Sequence, residues 1–178
     1  LDKVKLLDRK DTKFVFNQNQ LPSILEKIKP YYKVLEINNS PIFNYDNTYF
    51  DTHDFLFYNQ HHNEHRKRFK VRFRKYSSSS KSFFEIKIKN NKNRTVKKRM
   101  LVNEMNKALG EQEENLVSDI IGLQPTQLSP MLDIQFSRIT LTDNNYSERL
   151  TIDTNLSVKN GTSSKIFDKL AISEIKQK

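Results

Sequence analysis

Three successive segments of the chain alternate charged and apolar residues with a period of two. The first segment, 68–74, alternates Arg or Lys with Phe or Val, and the pattern returns at 84–89 and at 94–100. Successive side chains of an extended strand point to opposite faces. Each segment is therefore predicted to form a β-strand with one charged face and one apolar face.

The charged faces of these three segments are mostly cationic. A single alternating strand normally has one solvated face and one core face, and this ordinary explanation requires no ligand. Like charges on neighbouring strands, however, weaken the pairing of those strands. A bound anion would relieve that repulsion, so we favour a site for a polyanion over a solvated surface.

The first part of the chain is predicted to form a strand and then a short helix. In the strand 6–16, Arg9, Asp11 and Lys13 fall on one face because they lie two residues apart. The segment 21–28 carries Leu and Ile at helical spacing, with one proline in its first turn and another after its end. Proline suits the first turn of a helix and interrupts a helix elsewhere, so the helix is expected to occupy this segment only.

The remaining pattern predicts further strands and two more helices. The predicted strands cover 34–37, 45–52, 132–141, 148–154 and 171–177, and the predicted helices cover 54–60 and 103–122. The segment 159–165, rich in Gly and Ser, is predicted to be a loop. Nearly every strand carries one or two charged residues, and we expect these residues to share one side of a sheet.

About eight strands and few helices predict a mainly antiparallel α+β fold. Sheets of this size tend to curl or to close on themselves. We therefore expect a single domain over residues 1–178, built as a closed eight-stranded β tunnel with a few flanking helices. Cations inside such a tunnel would repel each other at a cost of roughly several kcal/mol unless anions or water compensated them. A linear phosphate chain would supply negative charge at regular spacing.

The composition favours a phosphate-rich partner and excludes several kinds of chemistry. Lys and Arg number 31 against 21 Asp and Glu, a net charge of +10, which suits nucleic acid, nucleotides, polyphosphate or an anionic membrane surface. The absence of cysteine excludes disulfides, iron–sulfur clusters and thiol catalysis. With only three glycines, no glycine-rich phosphate loop can be proposed. No signal peptide or membrane-spanning apolar run is found, so we expect a soluble, cytoplasmic protein.

A histidine-rich segment, His-His-Asn-Glu-His at 61–65, follows the predicted helix 54–60. Histidines are common zinc ligands, but a zinc site requires a second set of ligands elsewhere in the chain. We therefore interpret this segment as an exposed turn and keep a zinc site as the weaker alternative.

Short motifs follow one another in a fixed order along nearly the whole chain. They are Arg9-x-Asp11-x-Lys13-Phe14, Tyr49-Phe50-Asp51-Thr52, Lys70-Val71-Arg72-Phe73-Arg74-Lys75-Tyr76, Phe84-Glu85-Ile86-Lys87-x-Lys89, Lys97-x-Arg99, Arg138, Arg149-x-Thr151-x-Asp153-Thr154 and Ser173-Glu174-Ile175-Lys176. Each motif alone is weak, but the ordered set is specific. The set resembles the triphosphate tunnel metalloenzyme (CYTH-like) superfamily, and within it the polyphosphate polymerase domain of the vacuolar transporter chaperone (VTC) type.

This resemblance implies an eight-stranded antiparallel tunnel that binds ATP and polyphosphate through inward-facing basic residues. By position, the residues implied to grip phosphate are Lys13, Arg72, Arg74, Lys87, Lys97, Arg138 and Arg149. Glu174 is implied to hold a divalent metal ion, manganese or magnesium. A second, subordinate set faces the same way and consists of Arg9, Glu85, Arg99 and Lys176.

The chemistry of phosphoryl transfer agrees with this implied set. The reaction needs positioning and neutralisation of charge more than a protein nucleophile, because charge spreads over the transferring oxygens. Arginine grips phosphate with a planar fork, whereas lysine acts as a point charge. One carboxylate among many cations is where a hard divalent ion would bind, bridging the carboxylate and phosphate oxygens.

The first strand favours chain transfer over hydrolysis. Hydrolytic members of the superfamily typically open with two glutamates and a lysine in alternation, and the glutamates supply extra metal ligands for activating water. Here the corresponding positions hold Arg9 and Asp11. The resemblance therefore implies a metal-dependent polymerase that transfers the terminal phosphate of ATP onto a polyphosphate chain.

Two other functions stay open. One is a triphosphatase or tripolyphosphatase on the same fold, and the other is a non-catalytic module that binds polyphosphate or inositol phosphates. Nucleic acid is not expected, because RNA binding requires exposed aromatic residues beside the cations, whereas the pattern places Phe and Val on the opposite face. A membrane partner is compatible with the resemblance but is not contained in this chain.

The chain departs from the superfamily at its C-terminal end. Superfamily members continue past the final Glu-x-Lys strand with further basic residues and a helix, whereas this chain ends at Lys178. We therefore expect a C-terminal truncation, which could leave binding intact and abolish turnover. Asp11 is also shorter than the usual glutamate, so its role is left open.

Overall fold

The computed structural model describes residues 10–92 and 94–177. Arg9 and the beginning of the predicted strand 6–16 lie outside the described residues. Within the described range the chain forms ten β-strands and three α-helices, and the strand pairs are antiparallel where their register is defined. The prediction of a mainly antiparallel β fold with a few helices is confirmed.

The strands and helices of the described residues have the following bounds. The strands are β1 (Lys10–Asn17), β2 (Tyr32–Val34), β3 (Ile42–Asp51), β4 (Arg68–Tyr76), β5 (Lys81–Lys89), β6 (Thr95–Val102), β7 (Ser129–Asp143), β8 (Glu148–Asn160), β9 (Ser163–Phe167) and β10 (Leu170–Gln177). The α-helices are α1 (Leu21–Ile28), α2 (Leu56–His62) and α3 (Glu111–Ile121). None of the helices in the described parts of the chain has the length and apolarity needed to span a membrane.

Hydrogen bonds connect the strands in the order β1-β10-β8-β7-β3-β4-β5-β6. Two shorter strands lie off this path, since β2 pairs with β7 and β9 pairs with β8. Over the described residues, hydrogen bonds do not close the sheet by joining β6 to β1. The closed tunnel therefore stays a prediction.

The chain divides into two compact units. We call the described residues of Leu1–Tyr45, Gln135–Ser157 and Lys165–Lys178 the terminal unit, and those of Asp46–Ile134 and Val158–Ser164 the central unit. Strands β3, β7, β8 and β9 contribute residues to both. Each unit has a hydrophobic cluster of its own.

The core of the terminal unit is an apolar sheet face covered by α1. Leu141, Leu150 and Ile152 are buried at its centre. Residues of α1 and of the neighbouring strands pack against them: Phe16, Leu21, Leu25, Ile28, Tyr32, Ile139 and Ile175. The predicted helix 21–28 is confirmed with the same bounds. Because β8 alternates, its residues 149, 151 and 153 face the other side of the sheet.

The core of the central unit lies between the apolar face of β4 and β5 and the helices α2 and α3. Its buried members are Phe50, Phe57, Phe69, Val71, Phe73, Phe84, Ile86, Val117 and Leu128. The ring of Phe73 is central, with centroid distances of 5.5 Å to Phe50 and 5.1 Å to Phe84. The apolar half of the alternating pattern is thus a core face, as predicted. Most cations of the same strands lie on the opposite face; they are Arg68, Lys70, Arg72, Arg74, Lys81, Lys87 and Lys89.

Two residues of the motif at the end of β3 cap helix α2. Asp51 accepts hydrogen bonds from the backbone N–H groups of Phe57 at 2.8 Å and Tyr58 at 2.9 Å. Thr52 Oγ1 accepts another from the N–H of Leu56 at 2.9 Å. The first N–H groups of a helix have no partner within the helix, and negative charge is favoured there. Asp51 and Thr52 therefore stabilise the helix that covers the central core.

His61, in the last turn of α2, connects this helix to β4. Its Nε2 lies 3.1 Å from the carbonyl oxygen of Phe69, so Nε2 carries the proton and donates it. Burial of the ring, followed by the nearby charge of Lys70, lowers the pKa of His61 to about 4. The imidazole is therefore neutral at physiological pH.

We expect His61 to titrate near pH 4 in the folded protein instead of near its ordinary value of 6.5. The unfolded chain takes up this proton as the pH falls through 6.5, whereas the folded chain takes it up only near pH 4. The free energy of unfolding should therefore decrease as the pH falls across this window. NMR titration of the histidine rings measures the value, and the variant His61→Gln identifies the resonance. Titration of this ring above pH 6 would contradict the assignment.

The predicted helix 103–122 is wrong at its beginning. Helix α3 covers only Glu111–Ile121, and Gly110 is its N-cap. The carboxylate of Glu113 accepts the backbone N–H of Gly110 at 2.9 Å. Acidic residues in the first turn complement the helix dipole. This capping arrangement determines where α3 begins, which apolar spacing alone did not predict.

The predicted loop 159–165 is also wrong. Strand β8 continues to Asn160 and β9 begins at Ser163, so only a two-residue turn separates them, with Gly161 at φ 57°. A turn of this kind continues the strands into a hairpin, so its Gly and Ser residues mark a tight turn and not a long loop. The predicted strand 34–37 is similarly displaced, because β2 covers Tyr32–Val34.

Candidate functional site

A row of like charges crosses the sheet of the central unit. Lys70 on β4 is paired with Lys87 on β5, which is paired in turn with Lys97 on β6. All three residues are exposed, and their positions in the alternation put them on the face opposite the core. Like charges at paired positions repel one another, so an anion placed over this row would be stabilising.

Glu85 is the acidic centre of the next row. Arg72 donates to Oε2 of Glu85 from Nε at 2.8 Å and from Nη2 at 2.6 Å, and Lys97 forms an ion pair with Oε1. The side chain of Glu85 is only 2% exposed. Burial opposes its ionisation, but the charges of Arg72 and Lys97 outweigh burial and lower the pKa of Glu85. The carboxylate therefore stays ionised and holds two cations in place.

Tyr49 on β3 holds the other side of Arg72. The phenolic oxygen accepts a hydrogen bond from Nη1 at 2.8 Å. Burial opposes ionisation of the phenol, but the charges of Arg72 and Arg74 lower the pKa of Tyr49 nonetheless. The contacts among the described residues engage three of the five N–H groups of the Arg72 guanidinium. The remaining two could bind an outside acceptor such as a phosphate oxygen.

Arg74 is held by a neutral side chain. Its Nε donates to Oδ1 of Asn47 at 2.7 Å, and Nδ2 of Asn47 donates to the carbonyl oxygen of Ile134 at 3.0 Å. Arg74 is 9% exposed and Asn47 is 2% exposed. Burial and the neighbouring charge of Arg72 both lower the pKa of Arg74. Arg74 is therefore a buried cation that lies close to a second cation, Arg72.

In the terminal unit, Glu174 lies between two lysines. Lys13 on β1 is paired with Glu174 on β10, and its Nζ lies 3.2 Å from Oε1. Lys176 forms an ion pair with Oε2 of the same carboxylate. Arg149 on β8 is paired with Lys176. The register therefore brings three cations and two carboxylates together on one face of this sheet, because Asp11 on β1 is also paired with Lys176.

The side chain of Arg138 is held by an ion pair and by two aromatic rings. Its Nε and Nη2 donate to the two carboxylate oxygens of Asp153, at 2.6 and 2.7 Å. Its guanidinium carbon also lies 5.2 Å from the ring centre of Tyr45 and 5.0 Å from that of Phe136. A two-pronged ion pair and two aromatic contacts together fix the plane of the guanidinium.

Glu174 is the carboxylate that the resemblance implies as a metal ligand. Among the described residues, no group of three or more His, Asp or Glu side chains is arranged to hold a metal ion. A cage made of protein ligands is therefore not formed there. Magnesium and manganese can instead take most of their ligands from water and phosphate and need as few as one carboxylate. Glu174 supplies one such carboxylate, but a metal ion there would compete with Lys13 and Lys176, which contact its two oxygens.

The relationship to known families is decided by the sequence. The sequence model of the VTC domain matches residues 8–178. The chain belongs to the VTC domain family. The resemblance drawn from the ordered motifs is thus confirmed. A search of curated proteins finds no match to this VTC domain.

Solved structures share the fold of the VTC domain at low sequence identity. A candidate adenylate cyclase from Bacillus halodurans has a TM-score of 0.58 at 12% identity, over 96% of this chain and 81% of that one. A candidate adenylyl cyclase from Hippeastrum, described as having a dominant triphosphatase activity, has a TM-score of 0.57 at 11% identity, over 94% and 80%. A candidate adenylate cyclase from Vibrio parahaemolyticus has a TM-score of 0.52 at 9% identity, over 92% and 74%. These similarities establish the fold.

The VTC domain places the predicted site residues in two groups. The central unit contains Arg72, Arg74, Glu85, Lys87, Lys97 and Arg99. The terminal unit contains Lys13, Arg138, Arg149, Glu174 and Lys176. Arg9 lies outside the described residues. The role of each in binding phosphate stays a prediction.

Sequence analysis missed the residues that position these cations. Tyr49 and Asp153 fall within the ordered motifs without an implied role, and Asn47 lies outside these motifs. Asn47 lies two residues before Tyr49, so the period of two already put them on one face of β3. The sequence alone does not show that this face of β3 contacts Arg72 and Arg74 on β4.

Proposed function

We propose that this VTC domain is a metal-dependent polyphosphate polymerase that transfers the terminal phosphate of ATP onto a polyphosphate chain. The proposal includes the closed eight-stranded tunnel that the resemblance implies, with the cations on its inner side. The observation that carries it is the clustering of cations on the sheet face opposite the central core: Lys70, Arg72, Arg74, Lys87 and Lys97. Membership of the VTC family supports it.

In this proposal the arginines and lysines neutralise the negative charge of the phosphate groups. An oxygen of the terminal phosphate of the polyphosphate chain attacks the γ-phosphorus of ATP. The bond between that phosphorus and the β–γ bridging oxygen breaks, and ADP leaves. Charge spreads over the transferring oxygens, so fixed cations stabilise the transition state more than a protein nucleophile would. Arg72 suits this role because Glu85 and Tyr49 fix its guanidinium.

A divalent cation, manganese or magnesium, would be held by Glu174 together with phosphate oxygens, and it would neutralise part of the phosphate charge. Lys13 and Lys176 contact the two oxygens of that carboxylate. They therefore orient Glu174 and supply positive charge beside it. Arg138, fixed by Asp153, would contribute a further rigid phosphate ligand.

A second candidate function is hydrolysis of triphosphate. The observation that favours it is the shared fold with the Hippeastrum protein, which is described as having a dominant triphosphatase activity. Arg9 and Asp11, where hydrolytic members have glutamates, weigh against it. A third outcome, binding of polyphosphate without turnover, needs the same cations and no metal ligand.

Product analysis separates these functions. The domain is incubated with ATP and manganese, and the products are resolved by gel electrophoresis alongside an assay for free phosphate. Chains longer than triphosphate support the polymerase. Free phosphate without long chains would contradict the polymerase function and support the triphosphatase. If neither product forms but the domain binds polyphosphate measurably, the domain is a binding module.

A further inference from the structure

The hydroxyl of Tyr49 on β3 accepts a hydrogen bond but does not donate one within residues 10–92 and 94–177. Its oxygen accepts from Nη1 of Arg72 at 2.8 Å, and its ring centre lies 5.6 Å from the guanidinium carbon of the same arginine. A phenol that accepts one hydrogen bond can still donate its own proton. The hydroxyl of Tyr49 therefore retains a donor for a ligand.

This donor lies on the cationic face of the central unit. Tyr49 contacts Arg72 directly, and Asn47, two residues earlier on the same face of β3, contacts Arg74. The side chain of Tyr49 is only partly buried. Phosphate oxygens are strong hydrogen-bond acceptors, and a phosphate held by the two remaining N–H groups of Arg72 would lie beside the phenol. One phosphate group can therefore accept from both side chains.

The contact with Arg72 makes the phenol a stronger donor. A hydroxyl that accepts a hydrogen bond from a cation is polarised and donates its own proton more strongly. Burial opposes ionisation of the phenol, but the charges of Arg72 and Arg74 lower the pKa of Tyr49. An anion that accepts the phenolic proton favours the protonated form. A phosphate bound there should therefore raise this pKa again.

We propose that Tyr49 is a phosphate-binding residue, whose hydroxyl donates a hydrogen bond to an oxygen of the same phosphate group that Arg72 binds. The inference rests on the proposed function, because it concerns the triphosphate or polyphosphate site of this face. It assigns Tyr49 more than support of Arg72. A tyrosine that only held the guanidinium would use its oxygen as an acceptor and would not need its proton.

Tyr49→Phe removes the hydroxyl and keeps the ring beside Arg72. Calorimetry measures the dissociation constant of inorganic tripolyphosphate, after circular dichroism has shown that each variant is folded. We expect Tyr49→Phe to weaken binding by roughly tenfold, the scale of one hydrogen bond to a charged group. Tyr31→Phe is the matched control, because Tyr31 is 66% exposed, and it should bind like the wild type.

A double-mutant cycle with Arg72→Ala separates direct binding from positioning. If Tyr49 acts only through Arg72, Tyr49→Phe has no further effect once residue 72 is alanine. We expect instead a further weakening of about threefold or more in that background, because the phenol still donates to the phosphate. Identical affinities of the single Arg72→Ala variant and the double variant overturn the proposal.

Ionisation of the phenol provides a second measurement, which does not require the Arg72→Ala variant to fold. The ultraviolet absorbance of tyrosinate follows the titration, and the difference between the wild type and Tyr49→Phe isolates Tyr49 from the other tyrosines. Tripolyphosphate should raise the pKa of Tyr49, and a pKa that stays unchanged or falls overturns the proposal. Wild-type protein that fails to bind tripolyphosphate refutes the proposed function itself, whereas equal binding by the wild type and Tyr49→Phe refutes only this inference.

Discussion

Replacing Glu85 with Gln should lower the free energy of unfolding by about 3 kcal/mol, the scale for breaking a buried ion pair. The carboxylate is 2% exposed and holds both Arg72 and Lys97. Glutamine keeps the size but removes the charge, so two cations are left facing each other without compensation. Urea denaturation of the wild type and the variant measures the difference.

Glu26→Gln is the matched control, because Glu26 is exposed on α1. We expect this exposed substitution to change the free energy of unfolding by no more than about 0.5 kcal/mol. Equal effects of the two substitutions would show that Glu85 contributes no more than a surface charge.

Lowering the pH should also remove the stabilisation that the Glu85 carboxylate provides. The folded-state pKa of Glu85 lies below its ordinary value of 4.5, so its stabilisation is fully present above pH 4.5 and is lost as the pH falls through the folded-state pKa. The variant Glu85→Gln should therefore show a flatter decline of stability in acid than the wild type. This contribution adds to that of His61, which begins at higher pH.

Arg72→Ala should weaken the binding of ATP by about 1.5–3 kcal/mol, or roughly 10- to 150-fold in Kd. A fixed guanidinium that donates to a phosphate oxygen makes a charge-assisted hydrogen bond, and its loss also removes one of the two cations that compensate the negative charge of Glu85. Calorimetric titration of ATP measures the change.

Arg66→Ala removes the same charge at an exposed position that precedes β4. Its effect on ATP binding should be smaller than threefold and should disappear as salt is added, because interactions between exposed charges are screened. Unchanged affinity in both Arg72→Ala and Arg74→Ala would contradict the assigned face.

The strands could be predicted because their signal is local. In the segments that form β4 and β5, alternation alone gave the core face and the charged face, and the structure confirms both. The start of α3 was missed because the apolar stripe at 116–121 does not indicate where the helix begins, whereas the helix begins where Gly110 and Glu113 cap it. Caps depend on a few hydrogen bonds and not on periodicity.

The candidate site could be predicted as a list of cations but not as a set of contacts. The alternation of residues along a strand predicts which face of the sheet a side chain lies on. The register between neighbouring strands determines which side chains it contacts. The meeting of Arg72 with Glu85 depends on the pairing of β4 with β5. The anchoring by Asn47 and Tyr49 depends on β3, which lies some twenty residues earlier in the chain. A single Asn in a strand gives no periodic signal, so its role emerged only from the fold.

The capping of α2 by Asp51 and Thr52 involves backbone N–H groups only. The contribution of these two residues to folding therefore does not depend on what the charged face of β4 to β6 binds. Replacing the arginines of β4 should leave helix α2 formed, whereas replacing Asp51 should loosen the helix even in a protein whose cations are all intact.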